Sequence, residues 1–564
     1  MNPSQLKLHF TQRQATVVPA QKNIWTIDYR LHRLAIPWLA GLALVFGLIY
    51  TLGPRPVLAQ TDVCFVETGG DNSTDFQSSD AGAVQNAVDA AAAGSTLKIA
   101  GACAGVTPTN GISQTVYITK SLTLQGGYTN TNWLVHDPDS YPTTLDAQDA
   151  GRVVIVEGAV DVSLDHLTLT GGLATTGTLS NDGGGIHNSG NLSLSNSIVS
   201  ASRAPDDGGG LYSTGSLIIT ASTIENNRTT GNNGIGGGIA NGGGLLSISG
   251  STIENNRTAG SFGSGGGIYN NGGTLSITGS TIGNNRLASP SADGGGLYNG
   301  GGSIATIDTT TVFSNASRYG GGIYNAGSLS LQNSLVISNS GSGDGGGILT
   351  WGVLTMTNST LAYNIANDDG GGLNNLEQAT LINSTISHNL GRGTNHGVGG
   401  GAIYQAQDGP TPVLTLVNST VVSNTSNVSG KDGIHLLHGS AVLSSSLIAA
   451  NGTENCSVDS GSFSSDGYNL DDGDTCGLDA TGDITNTAAQ LGPLTDNGGP
   501  TAGSGQAILT HALLDSSPAV DQILAENCTV SEDQREFARP QNELCDIGAF
   551  ELQQTTTDVY LPVL

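Results

Sequence analysis

Short segments in which apolar and polar residues alternate recur along most of the chain. Within residues 265–285, three of them follow one another: Gly-Ile-Tyr at 267–269, Leu-Ser-Ile at 275–277 and Ser-Thr-Ile at 280–282. Alternation of period two is typical of β-strands, because successive side chains of a strand point to opposite faces. No segment of helical period separates them. The pattern therefore predicts an all-β region of very short strands.

A glycine triplet precedes each group of strands. Successive triplets are 25 to 29 residues apart, a drifting period that is typical of a solenoid with one supersecondary unit per repeat. Because each strand is too short to bury its own apolar face, the repeats must stack, and we predict a parallel β-helix of about a dozen three-strand coils. Ile268, Leu275, Ile277 and Ile282 are expected in its core, and Tyr269 on its outside. The triplets begin at Gly183, Gly208, Gly236, Gly265, Gly294, Gly320, Gly345, Gly370 and Gly399.

An asparagine follows the third strand of each coil in the pattern apolar-x-x-Asn. In a solenoid these side chains come into register, and stacked asparagines can hydrogen-bond from one coil to the next. Asparagine also tolerates the left-handed backbone of tight turns. We therefore predict an asparagine ladder along the molecule. Its members are Asn227, Asn256, Asn285, Asn315, Asn339, Asn364, Asn389 and Asn424.

The N-terminal segment predicts export. Basic residues precede an apolar run from Leu34 to Leu52, and the sequence before Ala59 suits a signal peptidase. We expect a signal peptide over residues 1–59. The alternative is an uncleaved membrane anchor, because the run approaches the length that spans a bilayer. In both cases the rest of the chain is expected to be secreted or displayed at the cell surface.

The charge balance excludes two classes of partner. The chain has 18 basic and 46 acidic residues, and six of the bases but only one of the acids lie before residue 60. The remainder is strongly acidic, which argues against nucleic acid and anionic membrane surfaces and suits divalent cations. Contact with a membrane is expected only through the N-terminal segment if it stays uncleaved. We expect a monomer.

The ends of the repeat array differ from its middle. Ser79 and Asp80 precede an alanine-rich segment that ends at Gly94, which predicts a helix over the first coil. We expect an N-terminal cap over 60–96, the β-helix over 97–455, further coils and a second cap over 456–551, and a tail over 552–564. An even cysteine count in an exported chain indicates disulfides, and near neighbours are the favoured pairs. These pairs are Cys64 with Cys103, Cys456 with Cys476, and Cys528 with Cys545.

Two features resemble known families. Over about 180–425, the motif Gly-Gly-apolar-apolar followed by apolar-x-x-Asn is similar to repeats of polymorphic outer-membrane proteins and to the right-handed parallel β-helix group that includes pectate lyases. Segment 490–551 resembles the choice-of-anchor Q domain of secreted bacterial β-helix proteins. Its motifs include Asp533-Gln-Arg535 and Cys545-Asp-Ile-Gly-Ala-Phe-Glu551. The resemblance implies a right-handed β-helix outside the cytoplasm and implies no activity.

The residue before the glycine triplet is acidic in several coils. Two pairs of these aspartates fall on consecutive coils, where carboxylates repel one another unless a cation lies between them. Oxygen-rich sites suit Ca²⁺, so these aspartates are candidate calcium ligands. The alternative is that each aspartate starts its turn through its own backbone hydrogen bonds. The residues are Asp182, Asp207, Asp293, Asp344 and Asp369, with Asp206 and Asp368 beside two of them.

Aromatic residues follow many of the triplets and are expected to face outward. A row of exposed rings offers stacking faces to sugar rings, which makes these residues candidate glycan contacts. The alternative is that the rings stack on one another and stabilise the strands. The residues are His187, Tyr212, Tyr269, Tyr298, Tyr324 and Tyr404.

The function expected from these features is binding. We predict an exported, non-enzymatic β-helix that presents a long surface for adhesion or for an extracellular polysaccharide. The alternative is a polysaccharide lyase or glycoside hydrolase of the pectate-lyase-like type. A lyase needs a cation to acidify the proton beside a sugar carboxylate and a base to remove that proton. The candidates are Asp344, Asp368 and Asp369 for calcium, and Arg392 as the base, with His388 or His396 nearby.

Overall fold

The computed structural model describes residues 63–553 except 110, 175–178, 290, 395–398, 407–409 and 542. Of two compact units, Met1–Pro56 and Val57–Leu564, only the second contains described residues. The expected signal peptide and nearly all of the expected tail therefore lie outside the described residues. In the described part, no helix combines the length and the apolar character that crossing a bilayer requires.

The repeats form a right-handed parallel β-helix of about 13 turns, which confirms the predicted fold class. In the repeat quoted above, the strands are Ile268–Asn270, Thr274–Thr278, Thr281–Gly283 and Arg286–Leu287. Each pairs in parallel with the equivalent strand of the next coil. The prediction of three strands per coil was too low, because the fourth has only two residues and shows no alternation in sequence.

Four sheets run along the molecule, one for each strand of the coil. The first-strand sheet contains Thr107–Thr109, Ile112–Ile118, Arg152–Val156, Ile186–Asn188, Leu211–Ser213, Ile239–Asn241, Ile268–Asn270, Leu297–Asn299, Ile323–Asn325, Ile348–Thr350, Leu373–Asn375, Ile403–Gln405, Ile434–Leu436 and Cys456–Val458. The second-strand sheet contains Cys64–Glu67, Phe76–Ser78, Thr96–Ala104, Leu122–Gln125, Asp161–Asp165, Asn191–Ser195, Ser216–Thr220, Leu245–Ser249, Thr274–Thr278, Ile304–Asp308, Ser328–Gln332, Val353–Thr357, Gln378–Ile382, Val413–Val417, Ser440–Ser444 and Ser462–Ser465.

The other two sheets complete the coil. The third-strand sheet contains Thr143–Asp146, Leu167–Thr170, Ile198–Ser200, Thr223–Glu225, Thr252–Glu254, Thr281–Gly283, Thr311–Phe313, Leu335–Ile337, Thr360–Ala362, Thr385–Ser387, Thr420–Val422, Leu447–Ala449, Leu470–Asp471 and Ile484–Thr485, and it shares Thr96–Ala104 with the second. The fourth-strand sheet contains Arg203–Ala204, Arg228–Thr229, Arg257–Thr258, Arg286–Leu287, Ala316–Ser317, Ser340–Gly341, Ile365–Ala366, Leu390–Gly391 and Thr425–Ser426.

The apolar side of each strand fills the interior as predicted. Ile268, Leu275, Ile277 and Ile282 are all 0% exposed and belong to one continuous core. Burying a side chain of this size stabilises the fold by about 1.5 to 3 kcal/mol relative to leaving it in water. Tyr269 lies on the outside of the same coil and is half-buried.

The predicted asparagine ladder is present and is fully buried. Asn285 accepts hydrogen bonds from the backbone amide and the side-chain amide of Asn256, at 3.0 and 3.1 Å. It donates to the carbonyl of Ile253 at 2.9 Å and to Oδ1 of Asn315 at 3.1 Å. Each asparagine thus satisfies backbone and side-chain groups on neighbouring coils at the turn between the third and fourth strands.

Two further ladders were not predicted. After the first strand, Asn241, Asn270, Asn299 and Asn325 are joined by amide-to-carbonyl hydrogen bonds of 2.8 to 2.9 Å. Before the third strand, serine and threonine hydroxyls accept the backbone amide of the equivalent residue one coil earlier, as Ser251 does from Ser222 at 3.1 Å. Three of the four corners of the coil therefore carry side chains that replace water for the backbone.

The helix is shorter than the predicted 81–93. It spans Gly82–Ala90, and Oδ1 of Asp80 accepts the amide of Gly82 at 2.9 Å. At its C-terminal end Nζ of Lys120 donates to the carbonyls of Asp89 and Ala91, at 3.0 and 2.9 Å, and Ala91 already has an extended backbone. The helix packs Val84 and Val88 into the core beside the Cys64–Cys103 disulfide. The other two predicted disulfides, Cys456–Cys476 and Cys528–Cys545, are also present.

The C-terminal segment 490–551 lies along the flank of the solenoid, whereas the sequence predicted a cap. Thr360 donates to the carbonyl of Leu509 at 2.7 Å, Asn383 to that of Glu532 at 2.8 Å, and the amide of Ala549 to Thr420 at 3.0 Å. The segment thus covers several third strands. Its strands pair as Leu491–Thr495 with Thr510–Leu513, Thr501–Ala502 with Gln506–Ala507, and Ile523–Leu524 with Leu544–Cys545; its 3₁₀ turns are Gly503–Gly505 and Ala525–Asn527.

The motif residues of this segment form a buried network. Arg535 binds the Asp533 carboxylate through Nη2 at 2.6 Å, and its guanidinium lies 3.5 Å from the centre of the Phe550 ring. Arg539 donates to the carbonyls of Asp546 and Gly548, at 2.9 and 2.6 Å. The conspicuous motifs of 490–551 therefore hold its own irregular backbone together.

We expect the substitution Asn285→Ala to destabilise the solenoid by about 2 to 4 kcal/mol, because it leaves several buried polar groups without a partner. The matched control is Asn255→Gly, at an exposed left-handed position with φ of 57°, where a change below about 0.5 kcal/mol is expected. Denaturant unfolding followed by circular dichroism measures both. Equal midpoints for the two variants would contradict a supporting role for the ladder.

Candidate functional site

One outer column of side chains runs along the first-strand sheet and contains the predicted aromatic residues. The strand register places Tyr269, Tyr298 and Tyr324 on consecutive coils. Their rings are stacked almost parallel, with centroids 4.8 and 4.9 Å apart. In chain order the column is Tyr117, Ile155, His187, Tyr212, Ala240, Tyr269, Tyr298, Tyr324, Leu349, Asn374, Tyr404 and His435.

The stacking determines what these rings can present. Facing rings cover one another, so Tyr298 offers its edge and hydroxyl to a ligand and not its face. Burial raises the pKa of Tyr269 to about 12, and the neighbouring Tyr298 and Asp207 add to the effect. The self-stacking alternative therefore describes this stretch of the column. Glycan contact through it remains a prediction and would involve hydroxyl groups.

Two residues expected on the surface are buried. Tyr404 is 6% exposed and stacks against His435 at 5.7 Å, and His187 is 8% exposed against Tyr212 at 5.3 Å. The expectation that both face solvent was wrong. Alternation along a strand gives the side of the sheet, but it does not show that neighbouring rings and turns cover that side.

The aspartate column runs beside the aromatic column. Oδ1 of Asp182 accepts the backbone amide of Asp207 at 2.9 Å, and Oδ1 of Asp344 accepts that of Asp369 at 3.1 Å. Oδ1 of Asp369 in turn accepts the amide of Gly399 at 2.7 Å. These hydrogen bonds reach the next coil, a role that the turn alternative did not include. Each such aspartate joins two coils.

Burial of this column has an electrostatic cost. It raises the pKa of the Asp207 carboxyl to about 6, and the charges of Asp182 and Asp206 add to the shift. It also raises the pKa of Asp293 to about 6, against the lowering influence of Arg318. Both carboxyls therefore lose their proton at a higher pH than a free aspartate does, and carrying the charge at neutral pH costs the fold free energy. A nearby cation would remove part of that cost.

Three aspartates converge at one place in the column. Carboxylate oxygens of Asp344, Asp368 and Asp369 lie within 4.8 Å of one another, and Asp368 and Asp369 are 3% and 4% exposed. Three carboxylates at this separation form an oxygen-rich site of the kind that suits Ca²⁺. The arrangement matches the candidate ligands from sequence. Among the described residues, Asp182 and Asp207 have no third carboxylate or histidine close enough to complete such a group.

Near this cluster in sequence, the outer column consists of the buried residues Asn374 and Tyr404. Burial raises the pKa of Tyr404, and the charges of Asp369, Asp344 and Asp368 raise it further. One coil earlier the column position is Asn374, which is 1% exposed and whose Oδ1 has no hydrogen-bond partner in the described structure. The same is true of Oδ1 in other buried asparagines, such as the adjacent Asn375, so the unpartnered oxygen of Asn374 does not by itself indicate a ligand.

The candidate catalytic residues are only partly brought together. Nη1 of Arg392 donates to Oδ1 of Asn367 at 2.8 Å, next to Asp368 in sequence. His388 instead lies at the C-terminal segment, where its ring stacks on His511 at 6.0 Å and contacts Ser387 through Nδ1 at 2.7 Å. His388 is therefore not available to the cluster. His396 lies outside the described residues.

Comparison with protein-family models, with curated proteins and with solved structures finds no match to this chain. The two family resemblances noted from the motifs are therefore without independent support. What the structure itself establishes is a parallel β-solenoid with three disulfides, a combination that is compatible with a location outside the cytoplasm.

We expect calcium to stabilise the protein by about 3 kcal/mol at a hundredfold excess over the dissociation constant, measured by thermal unfolding with and without chelator. Asp368→Asn should stabilise the calcium-free protein, because it removes one of three like charges. The same substitution should abolish most of the stabilisation by calcium. Asp206→Asn, an exposed aspartate of the same column, is the control. A calcium effect that Asp368→Asn leaves intact would exclude the cluster.

We expect Asp207→Asn to stabilise the calcium-free protein by about 1 to 2 kcal/mol at pH 7.5. The folded-state pKa is raised, so the charged carboxylate destabilises the fold above pH 6, and this cost disappears as the pH falls through 6 towards 4. Asparagine keeps the oxygen that accepts the amide of Ile235. Denaturant unfolding at pH 7.5 and 4 tests this, and a gain of equal size at both values would contradict burial of the charge as its cause.

Proposed function

We propose that the protein acts by binding: it presents the face formed by the aromatic and aspartate columns to an extracellular glycan, with Ca²⁺ held by Asp344, Asp368 and Asp369. The observation that carries the proposal is the convergence of these three carboxylates beside the aromatic column. Calcium bound by protein oxygens can complete its coordination with sugar hydroxyls, because it takes six to eight oxygen ligands.

The aromatic column supports the same role. Tyr269, Tyr298 and Tyr324 are half-buried and stacked, so their hydroxyls form a row spaced by the distance between coils, about 4.8 Å. Such a row offers repeated hydrogen-bond donors and acceptors to an extended polymer. The acidic surface favours a neutral or calcium-bridged polysaccharide over a free polyanion.

We further propose that the chain belongs among secreted bacterial β-helix proteins with a choice-of-anchor Q domain. The support is that motif residues of 490–551, including Asp533, Arg535 and Arg539, are buried and join one network in this segment. A signal peptide over 1–59 and release from the cytoplasm belong to the same proposal. Formation of the three disulfides is the feature of the fold that favours it.

A lyase activity is the second candidate, and one observation favours it. Arg392 is held by Asn367, and the amide of the next residue, Gly393, binds the carbonyl of Asp368 at 2.8 Å. The base that such a reaction needs thus lies on the turn that adjoins the acidic cluster. A calcium-dependent lyase would release products with an unsaturated sugar end.

A polysaccharide panel with calcium or chelator separates the two candidates. We expect retention of at least one glycan by the wild type in calcium, and a loss of affinity of about tenfold or more in chelator and in Asp368→Asn, since the calcium contact is removed. Tyr324→Ala should weaken binding by about three- to tenfold, because one contact is lost. The control is Tyr363→Asn, an exposed tyrosine of the opposite turn whose left-handed backbone suits asparagine.

The same incubations are examined for unsaturated products. Product formation that Arg392→Ala abolishes would replace the binding function by the lyase. Absence of binding to any glycan, in calcium and at high protein concentration, would refute the proposed function without affecting the calcium site.

A further inference from the structure

A second group of metal-ligating side chains lies near the N-terminal end of the solenoid, at the turn between a second and a third strand. One ligand atom from each of His136, Asp165 and His166 lies within 4.8 Å of the others. The three residues come from two parts of the chain: Asp165 and His166 end the strand Asp161–Asp165, and His136 belongs to the loop between Leu122–Gln125 and Thr143–Asp146. Among the residues that the structure describes, no other coil carries an equivalent group of histidine and aspartate ligands.

Asp165 is held in place by its neighbours. Its Oδ2 accepts Nε2 of Gln125 at 3.0 Å, and its Oδ1 accepts the hydroxyl of Ser195 at 2.9 Å and Nδ2 of Asn196 at 3.0 Å. Carboxylates that bind metals are commonly fixed by hydrogen bonds of this kind, which set the direction of the remaining lone pairs. The carboxylate is therefore oriented before any ligand arrives.

His166 occupies a turn position that most other coils give to a different residue. Its backbone is left-handed, with φ of 53°. Five equivalent positions hold asparagine, and the others hold small or hydroxyl residues: Asn196, Asn333, Asn358, Asn383 and Asn418, and Ala221, Gly250, Gly279, Thr309 and Ser445. An imidazole therefore has no advantage for the turn itself. Nδ1 of His166 is buried, lies 2.9 Å from Oδ1 of Asp165 and has no other hydrogen-bond partner among the described residues.

His136 supplies the third side chain of the group, from a loop that packs on this turn. Its ring meets the His166 ring edge to face, with centroids 4.7 Å apart, and packs on Tyr128 at 5.1 Å. The loop folds back at Gly127, where φ is 89° and where a Cβ atom would lie 2.9 Å from Nε2 of His136. The close approach of this loop therefore depends on a glycine and delivers a second imidazole to Asp165.

We propose that His136, Asp165 and His166 bind a divalent transition metal of the Zn²⁺ class. Two imidazole nitrogens and one carboxylate are the ligands that zinc prefers, and three protein ligands leave a position for water or another group. Calcium is disfavoured at this place, because it selects oxygen ligands in greater number. The site is thus chemically distinct from the cluster of Asp344, Asp368 and Asp369, and it does not depend on the proposed glycan binding.

Zinc titration of the tag-free protein by isothermal calorimetry tests the proposal. Excess calcium is present throughout, so that the acidic cluster is occupied or unattractive to zinc. We expect one equivalent of Zn²⁺ to bind with micromolar or tighter affinity, and at least about a tenfold loss in both His136→Ala and His166→Asn. His166→Asn places the commonest residue of this turn there, so the fold should be kept. His438→Ala, a histidine of a distant coil, should bind zinc as the wild type does.

Three results would overturn the proposal. They are the absence of saturable zinc binding by the wild type, unchanged affinity in either variant of the group, and an equal loss in His438→Ala. Should His166→Asn fail to fold, as judged by circular dichroism, His136→Ala decides the matter alone, because His136 lies on an exposed loop. The electron paramagnetic resonance spectrum of bound Cu²⁺ gives a second measurement. Nitrogen splitting from two imidazoles is expected in the wild type, and the splitting of a single imidazole, with weaker binding, in His136→Ala and in His166→Asn.

Discussion

Everything in this molecule depends on the way its buried corners satisfy the backbone. The chain turns sharply at its corners, and the side chains that form the ladders there are buried from water. Asn285 and its equivalents provide the missing partners, each bridging to the coils on either side. A slip of one residue would leave these groups unpaired and would turn the apolar side chains outward. The ladders therefore fix the register, and the register places equivalent residues in columns.

In a column, equivalent side chains lie about 4.8 Å apart. Whether this short distance stabilises or destabilises the fold depends on the type of side chain. Aromatic rings such as that of Tyr298 stabilise the coils, because they stack on the rings above and below. Buried carboxylates such as Asp207 instead lose stability, because burial disfavours their charge and neighbouring carboxylates repel it. Amides of the following coil offset part of the cost for Asp182 and Asp344, and Asp207 retains a pKa of about 6. A cation among Asp344, Asp368 and Asp369 would offset more of it, which links the stability of the coils to the ligand that they bind.

Local repetition made most of the fold predictable. The alternation in 265–285, the glycine period and the apolar-x-x-Asn spacing are sufficient for the coil, its core and the main ladder. The sequence proximity of the cysteines was sufficient for three disulfides. The fourth strand was not predicted, because a strand of two residues shows no alternation of apolar and polar positions. The position of segment 490–551 along the flank was not predicted either. It depends on contacts between residues more than a hundred positions apart, such as Asn383 with Glu532. His136 escaped because it lies in a loop outside the repeat.

For the acidic site, sequence gave the candidate ligands but not their surroundings. The columns could be counted from the triplets, and this placed Asp344 and Asp369 on neighbouring coils. Burial of Tyr404, the loss of His388 to the C-terminal segment and the unpartnered oxygen of Asn374 depend on packing between distant residues. The most direct test is a crystal structure of the protein grown with Ca²⁺. We expect anomalous density for one ion between the carboxylates of Asp344, Asp368 and Asp369. Carboxylates that bind only backbone amides, with no ion between them at saturating calcium, would contradict the proposed calcium site.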